Sequence, residues 1–133
     1  MNPLAPLYRL ADSLRYRRHR NPGQHGEDLA HRYLRKTGFV VAARNWRPPQ
    51  GGGEIDIVAW EGDWLVFVEV KMRTSAGISA PEQDIDLEKI RTLRRAARDY
   101  IRRSGADASR VRFDAISITG RTIDHLRDAF RPA

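Results

Sequence analysis

Cysteine is absent from the 133 residues. Disulfides and thiolate metal sites are therefore excluded, and a reducing compartment suits the chain, with the cytoplasm the expected location. Long apolar runs are missing too. None approaches the ~20 residues that a membrane-spanning helix needs, so no membrane insertion is expected. Leu4, Leu7, Leu10 and Leu14 mostly precede the N-terminal arginines, and no small-residue cleavage site follows a long apolar core. No secretory signal is read there. Internal repeats and low-complexity tracts are also lacking. With 41% hydrophobic and 31% charged residues, what remains is a globular chain with room for one domain and one core.

What is abundant is arginine. The net charge is +7, and a polyanion is its natural partner. Residues 1–23 carry Arg9, Arg15, Arg17, Arg18 and Arg20 against Asp12 alone, which is +4 of that total. This basic N-terminal arm, flexible or a short helix, stands apart from a domain spanning 24–133. A second excess lies in 84–103, where seven basic residues oppose four acids. Charge alone fits a solvated surface equally well.

Along the chain, Gln24 to Lys36 reads as a helix ending at Gly38, a C′ glycine. Leu29, Ala30, Tyr33 and Leu34 form its apolar stripe, and Glu27 projects along that stripe. Phe39 to Ala43 reads as a strand running into Arg44-Asn45-Trp46-Arg47, followed by the flexible loop Pro48 to Gly53. Strands are expected at Glu54 to Trp60 and Trp64 to Arg73, joined as a hairpin. Thr74 to Pro81 reads as loop, Ile85 to Arg103 as the longest helix, and Val111 to Thr119 as a strand. Residues 122–130 supply a short helix or an edge strand. The order is α-β-β-β-α-β, an α/β domain with a mixed sheet flanked by helices.

Both hairpin strands carry acids: Glu54 and Asp56 in one, Glu69 in the other. If the hairpin turns on Gly62-Asp63, Asp56 faces Glu69 and Glu54 faces Lys71. Those four then share one face, and Ile55, Ile57, Val68 and Val70 share the other. Two carboxylates ~5 Å apart repel by about 3 kcal/mol at an effective dielectric near 20. That outweighs the ~0.2 to 1 kcal/mol of a favourable cross-strand pair. A cation is wanted between them, and a hard ion such as Mg²⁺ fits.

Asp56 followed by Glu69-Val70-Lys71 is the D…(D/E)-x-K pattern of the restriction-endonuclease-like nuclease superfamily. With Gln24-His25-Gly26-Glu27, Ala30, Arg44-Asn45-Trp46-Arg47, Gly53-Glu54, Met72-Arg73, Lys89 and Arg112-Phe113-Asp114, the ordered set resembles the YraN-like family of uncharacterised bacterial proteins. The likeness covers Gln24 to Phe130. Ala76 to Gln83 is less typical of the family, and no functional residue is taken from it. The family is similar to archaeal Holliday junction resolvases. The resemblance implies a restriction-endonuclease-like fold and Mg²⁺- or Mn²⁺-dependent hydrolysis of DNA phosphodiesters, with branched or junction DNA as substrate and a homodimer by analogy. Asp56, Glu69 and the Val70 carbonyl would hold the ion, Lys71 would act on the attacking water or the phosphorane, and Glu27 would complete the site. Glu54 is expected to position Lys71. Arg44, Arg47, Arg73, Lys89, Arg15, Arg17 and Arg18 would contact phosphates.

Blander readings stand beside these. The acids could line a solvated sheet face, Glu27 could be an early-helix acid favoured by the macrodipole, and Lys89 could simply flank the helix stripe. Asp114 reads as structural, bonded to a backbone amide. His25 reads as a helix-start contact, with His19, His31 and His125 on the surface. Trp46, Trp60 and Trp64 read as packing rather than base-stacking residues. As a whole, the alternatives to a nuclease are a non-catalytic nucleic-acid-binding module and a protein that binds an acidic protein or RNA assembly.

Overall fold

The computed structural model describes residues 25–73 and 87–130. The basic arm, with Arg15, Arg17 and Arg18, and the loop from Thr74 to Pro81 lie outside the described residues. Helix α1 spans His25–Lys36, with Glu27 and Asp28 in its first turn and Arg35 and Lys36 in its last. Both charge pairs complement the helix dipole. Gly38 follows with φ +97°, and the Phe39 amide donates to the Leu34 carbonyl at 2.8 Å. This is the glycine-terminated end that the sequence predicts.

Strands β1 (Val40–Trp46), β2 (Ile55–Glu61) and β3 (Trp64–Arg73) lead to helix α2 (Leu87–Ser104). A 3₁₀ turn, Ala108–Arg110, then precedes β4 (Val111–Thr119) and the edge strand β5 (Thr122–Leu126). The expected α-β-β-β-α-β order is present, and 122–126 takes the edge-strand option. No helix among the described residues is long and apolar enough to cross a membrane.

The five strands lie in chain order in one mixed sheet. Only β3 and β4 pair in parallel, because α2 carries the chain back between them. On one face, α1 buries Ala30 and Leu34 against Val41, Ile57, Ala59, Val66, Val68, Ile116 and Ile118. On the other, α2 buries Leu93, Ala96 and Ala97 against Val58, Leu65, Phe67 and Ala115. Strand β3 is thus covered on both sides, and all five residues from Leu65 to Glu69 are buried. A solvated sheet face is not what surrounds the acids.

The β2–β3 register runs from Ile57 opposite Val68 to Glu61 opposite Trp64, the pairing expected for a turn on Gly62-Asp63. Ile55 departs from expectation. It packs with the α2-side cluster, opposite to Ile57. The β2–β3 ladder ends at Ile57, while Ile55 stays paired to Trp46 of β1. Below Ile57 the strand follows β1 and its alternation with β3 is lost.

A second irregularity lies in β1, whose register shifts between Val41 and Ala43. Val41 faces α1, and Ala42 and Ala43 both pack on the α2 side. The extra residue reverses the phase, and Arg44 turns back to α1, where it meets Asp28 and His31.

At the far edge, Asp114 is fully buried. It accepts hydrogen bonds from Arg112 at 2.8 and 2.9 Å, from the Asp128 amide at 2.9 Å and from His125 Nε2 at 2.7 Å. The Tyr33 hydroxyl reaches His125 Nδ1 at 3.0 Å, and Arg112 continues to Glu61 at 2.9 Å. Asp114 is structural, as the sequence suggests. His31 is buried and the His125 side chain is only 5% exposed, so neither lies free on the surface.

Burial would raise the Asp114 carboxyl, but the bonds from His125, Arg112 and the Asp128 amide hold it at about 2 against an ordinary 3.8. A carboxylate depressed on folding adds stability that is complete above about pH 4 and is lost as pH falls through about 2. For Asp114 this amounts to about 2 kcal/mol. In urea denaturation between about pH 6 and about pH 2, wild type should therefore lose about 2 kcal/mol more than Asp114→Asn. Equal losses would contradict the assignment.

Candidate metal-binding acidic site

The acids gather where the β2–β3 ladder opens. In place of a backbone carbonyl, the Asp56 carboxylate accepts the Val70 N–H at 2.9 Å. This bond fixes Asp56 beside Glu69, which is itself buried beneath α2. Glu54 arrives through Gly53, whose φ is +130°. A Cβ there would lie 2.7 Å from Thr92 Cγ2 and 3.1 Å from the Thr92 carbonyl oxygen. Only glycine lets the chain graze α2 at this point. From the other side, the first turn of α1 brings in Glu27. Glu27, Glu54 and Asp56 each offer an oxygen within 4.8 Å of the others.

Most of these acids have their own cation. Arg44, its side chain fully buried, lies 2.8 Å from Asp28 and 3.7 Å from Glu27. Arg47 donates twice to Glu54, at 3.0 and 2.7 Å. Glu69 Oε1 lies 2.7 Å from Lys89 and 3.6 Å from Lys71. Asp56 makes no ion pair among the described residues, and its chief bond is to an uncharged amide. Burial, then repulsion from Glu69, and more weakly from Glu27 and Glu54, raise its carboxyl to about 7 despite the Val70 bond. Burial and the neighbouring Lys89 push Lys71 below the ordinary lysine value, against the pull of Glu69. Burial also opposes the charge on Lys89, but its bonds to Glu69 and Lys71 raise it.

Glu27, Asp56, Glu69 and Lys71 are therefore brought together, with Glu54 beside them. Two expectations are corrected. Arg44 cannot reach a phosphate, because its guanidinium is sealed between α1 and the sheet, where it holds Glu27 and Asp28. Glu54 is bound to Arg47 rather than to Lys71, since the ladder that would have opposed them ends at Ile57. Lys89 pairs with Glu69 at 2.7 Å while its side chain stays 39% exposed at the site. Arg73 donates to Ser117 of β4 at 3.1 Å. The anchoring roles of Arg44 and Lys89 depend on a strand bulge and on helix packing, which no local pattern announces.

The chain matches the model of a family described as "Uncharacterised protein family UPF0102" over residues 26–118. It belongs to that family. A UPF0102 protein of Solibacter usitatus is 53% identical over 128 residues, covering 93% of this chain and 97% of the relative. One from Rhodococcus jostii is 47% identical over 113 residues, covering 81% and 94%. One from Persephonella marina is 40% identical over 108 residues, covering 81% and 91%. The YraN-like resemblance read from the motifs is thus a UPF0102 membership. The UPF0102 match includes every residue of the acidic site and stops within β4.

The raised Asp56 carboxyl has a measurable cost. Its unfolded-state value lies near 3.8 and its folded value near 7, so the folded state is penalised progressively from about pH 4 to about pH 7, and fully above that. Without divalent ions at about pH 8, Asp56→Asn should be more stable than wild type by on the order of 1 to 3 kcal/mol. The gap should close as pH falls towards about 4. Denaturant titrations across that range check this, and a variant no more stable than wild type at the alkaline end would refute the charge crowding.

Proposed function

We propose that this UPF0102 chain is a Mg²⁺- or Mn²⁺-dependent nuclease that hydrolyses DNA phosphodiester bonds on a restriction-endonuclease-like core. The observation that carries this reading is the convergence of Glu27, Glu54 and Asp56 within 4.8 Å, with the strained Asp56 carboxyl beside the Glu69–Lys71 pair. A protein with a +7 excess would relieve this crowding by interleaving arginine if the acids served stability alone.

The residues fit a hard divalent ion. The donor set is all oxygen, as Mg²⁺ prefers, and the inward Glu27 Oε2 has no hydrogen-bond partner. Asp56, Glu69 and the Val70 carbonyl would hold the ion, with Glu27 and Glu54 completing its surroundings. When bound, it supplies charge neutralisation and Lewis acidity at the phosphate. Lys71 would orient the attacking water or help take its proton, or stabilise the charge that builds on the phosphorane. The water oxygen forms the new bond to phosphorus, the bond from phosphorus to the leaving oxygen breaks, and that oxygen is protonated from solvent. Arg47, exposed at the rim, faces the flanking backbone. Branched or junction DNA, cut by a homodimer, is the substrate form that the family likeness favours.

The Lys89–Glu69 contact supports a second reading. A built-in ammonium can neutralise Glu69 permanently, leaving a module that binds nucleic acid without cutting it. Incubation with branched, flapped, single-stranded and duplex DNA, in Mg²⁺ or Mn²⁺, separates the two. Wild type should cut at least one substrate, and Asp56→Asn and Lys71→Ala should each lower the rate by about 100-fold or more. Binding without cleavage in all three proteins would establish the second reading instead.

A further inference from the structure

On the outer side of α1, away from the acids, His25, Leu29, Arg32 and Lys36 follow one another at spacings of four, three and four. That spacing puts them on one helical stripe. Eleven rises of 1.5 Å make it about 16 Å long. The β4–β5 turn faces this stripe, and Gly120, with φ +61°, turns the chain so that Arg121 lines the same cavity. The cavity measures about 530 Å³ and has Tyr33 and Ile123 in its walls. No acid lines it. Among the described residues, none of His25, Arg32, Lys36 and Arg121 makes an ion pair with a carboxylate. By contrast, Arg44, Arg47, Arg112 and Arg127 all do.

Three permanent cations held around an open cavity without counter-ions repel one another, and an anion relieves that repulsion. The length of the stripe decides which anion. A single phosphate would engage one end of it, whereas a nucleic-acid strand advances ~3.4 Å per phosphate along a duplex and sets about two against the roughly 6 Å of helix between Arg32 and Lys36. Tyr33 adds an aromatic wall of the kind on which an unpaired base can rest.

We infer that the groove between the outer stripe of α1 and the β4–β5 turn is a backbone-binding track for a nucleic-acid strand, with Arg32, Lys36 and Arg121 as its phosphate contacts. The inference rests on the nucleic-acid reading above, but not on cleavage.

The test is the salt dependence of binding to a fluorescent DNA duplex and to a single strand of the same sequence, with divalent ions removed by EDTA. Arg32→Ala with Arg121→Ala should weaken duplex binding by about tenfold or more and reduce the slope of log K against log[salt] by about 1.8, near 0.9 per lost contact. Arg91→Ala with Arg95→Ala, an equal charge change on α2, should leave the slope within about half a unit of wild type. An unchanged slope in the α1 and turn variant overturns the track, even if wild type binds and cuts DNA. Asp56→Asn, assayed in parallel, should keep the wild-type slope, so loss of cutting alone leaves the track standing. If wild type binds neither DNA but is retained by poly-glutamate through the same arginines, the partner is an acidic protein and the track is refuted.

Discussion

The hydrogen bond from the Val70 amide to the Asp56 carboxylate is the contact around which the site is organised. A central strand paired on both edges and covered on both faces has no room for an acid, because every backbone group is already satisfied and every side chain is buried. The β2–β3 ladder makes room by ending at Ile57. The next amide of β3 is then satisfied by a side chain rather than by the neighbouring strand. Asp56 is thereby fixed by the backbone itself, and the separation of the strands leaves the gap into which Glu27 and Glu54 project. Ile55, released from β3 but still held by β1, packs into the α2-side core.

Around this point the protein distributes its counter-charges unequally. Arg44 serves Glu27 and Asp28, Arg47 serves Glu54, and Lys89 with Lys71 serves Glu69. Arg44 ties α1 to β1, Arg47 clamps the two ends of the β1–β2 loop, and Lys89 ties α2 to β3, whereas Lys71 and Glu69 are both on β3. Arg44 carries the greatest structural burden. It is sealed from solvent, and removing one partner of such a buried pair leaves the other charge uncompensated, at a typical cost of 3 to 5 kcal/mol. Asp56, at the centre, is the acid left with a neutral donor, and so it is the one whose ionisation the fold resists.

Much of this was legible in the sequence. Strong β-formers around a Gly-Asp turn predict the hairpin register from Ile57 to Glu61, but the ladder stops one residue short of the expected Asp56–Glu69 pair, and Asp56 reaches Glu69 through its bond to the Val70 amide instead. Helical periodicity and Gly38 gave α1, and the motif order gave the family. The failures in the strands share one cause: each depends on a break in regular alternation. A bulge after Val41 reverses the phase of Arg44 and makes a phosphate-contact candidate into a buried anchor. The end of the ladder at Ile57 moves Ile55 to the opposite face and separates Glu54 from Lys71. His31 and His125 were read as surface because their partners, Arg44 and Asp114, are distant in sequence and become neighbours only when α1 and β5 dock on the same face.

The charge arrangement also constrains how the two sides of the molecule can work together under the nuclease reading. A phosphate brought to the acidic site meets Glu27, Glu54, Asp56 and Glu69, and at ~5 Å each unscreened pair costs about 3 kcal/mol at an effective dielectric near 20. The basic surface attracts the same strand from farther away, where that repulsion has faded. On that reading a polyanion would be drawn to the protein but kept from its acids until a divalent charge lay between them. Because such linkage is reciprocal, whatever that ion adds to the affinity for the strand, the strand adds to the affinity for the ion. Under the nuclease reading, mutually repelling carboxylates on one side of α1 and a cationic groove on the other would make ion and strand each other's condition for productive binding.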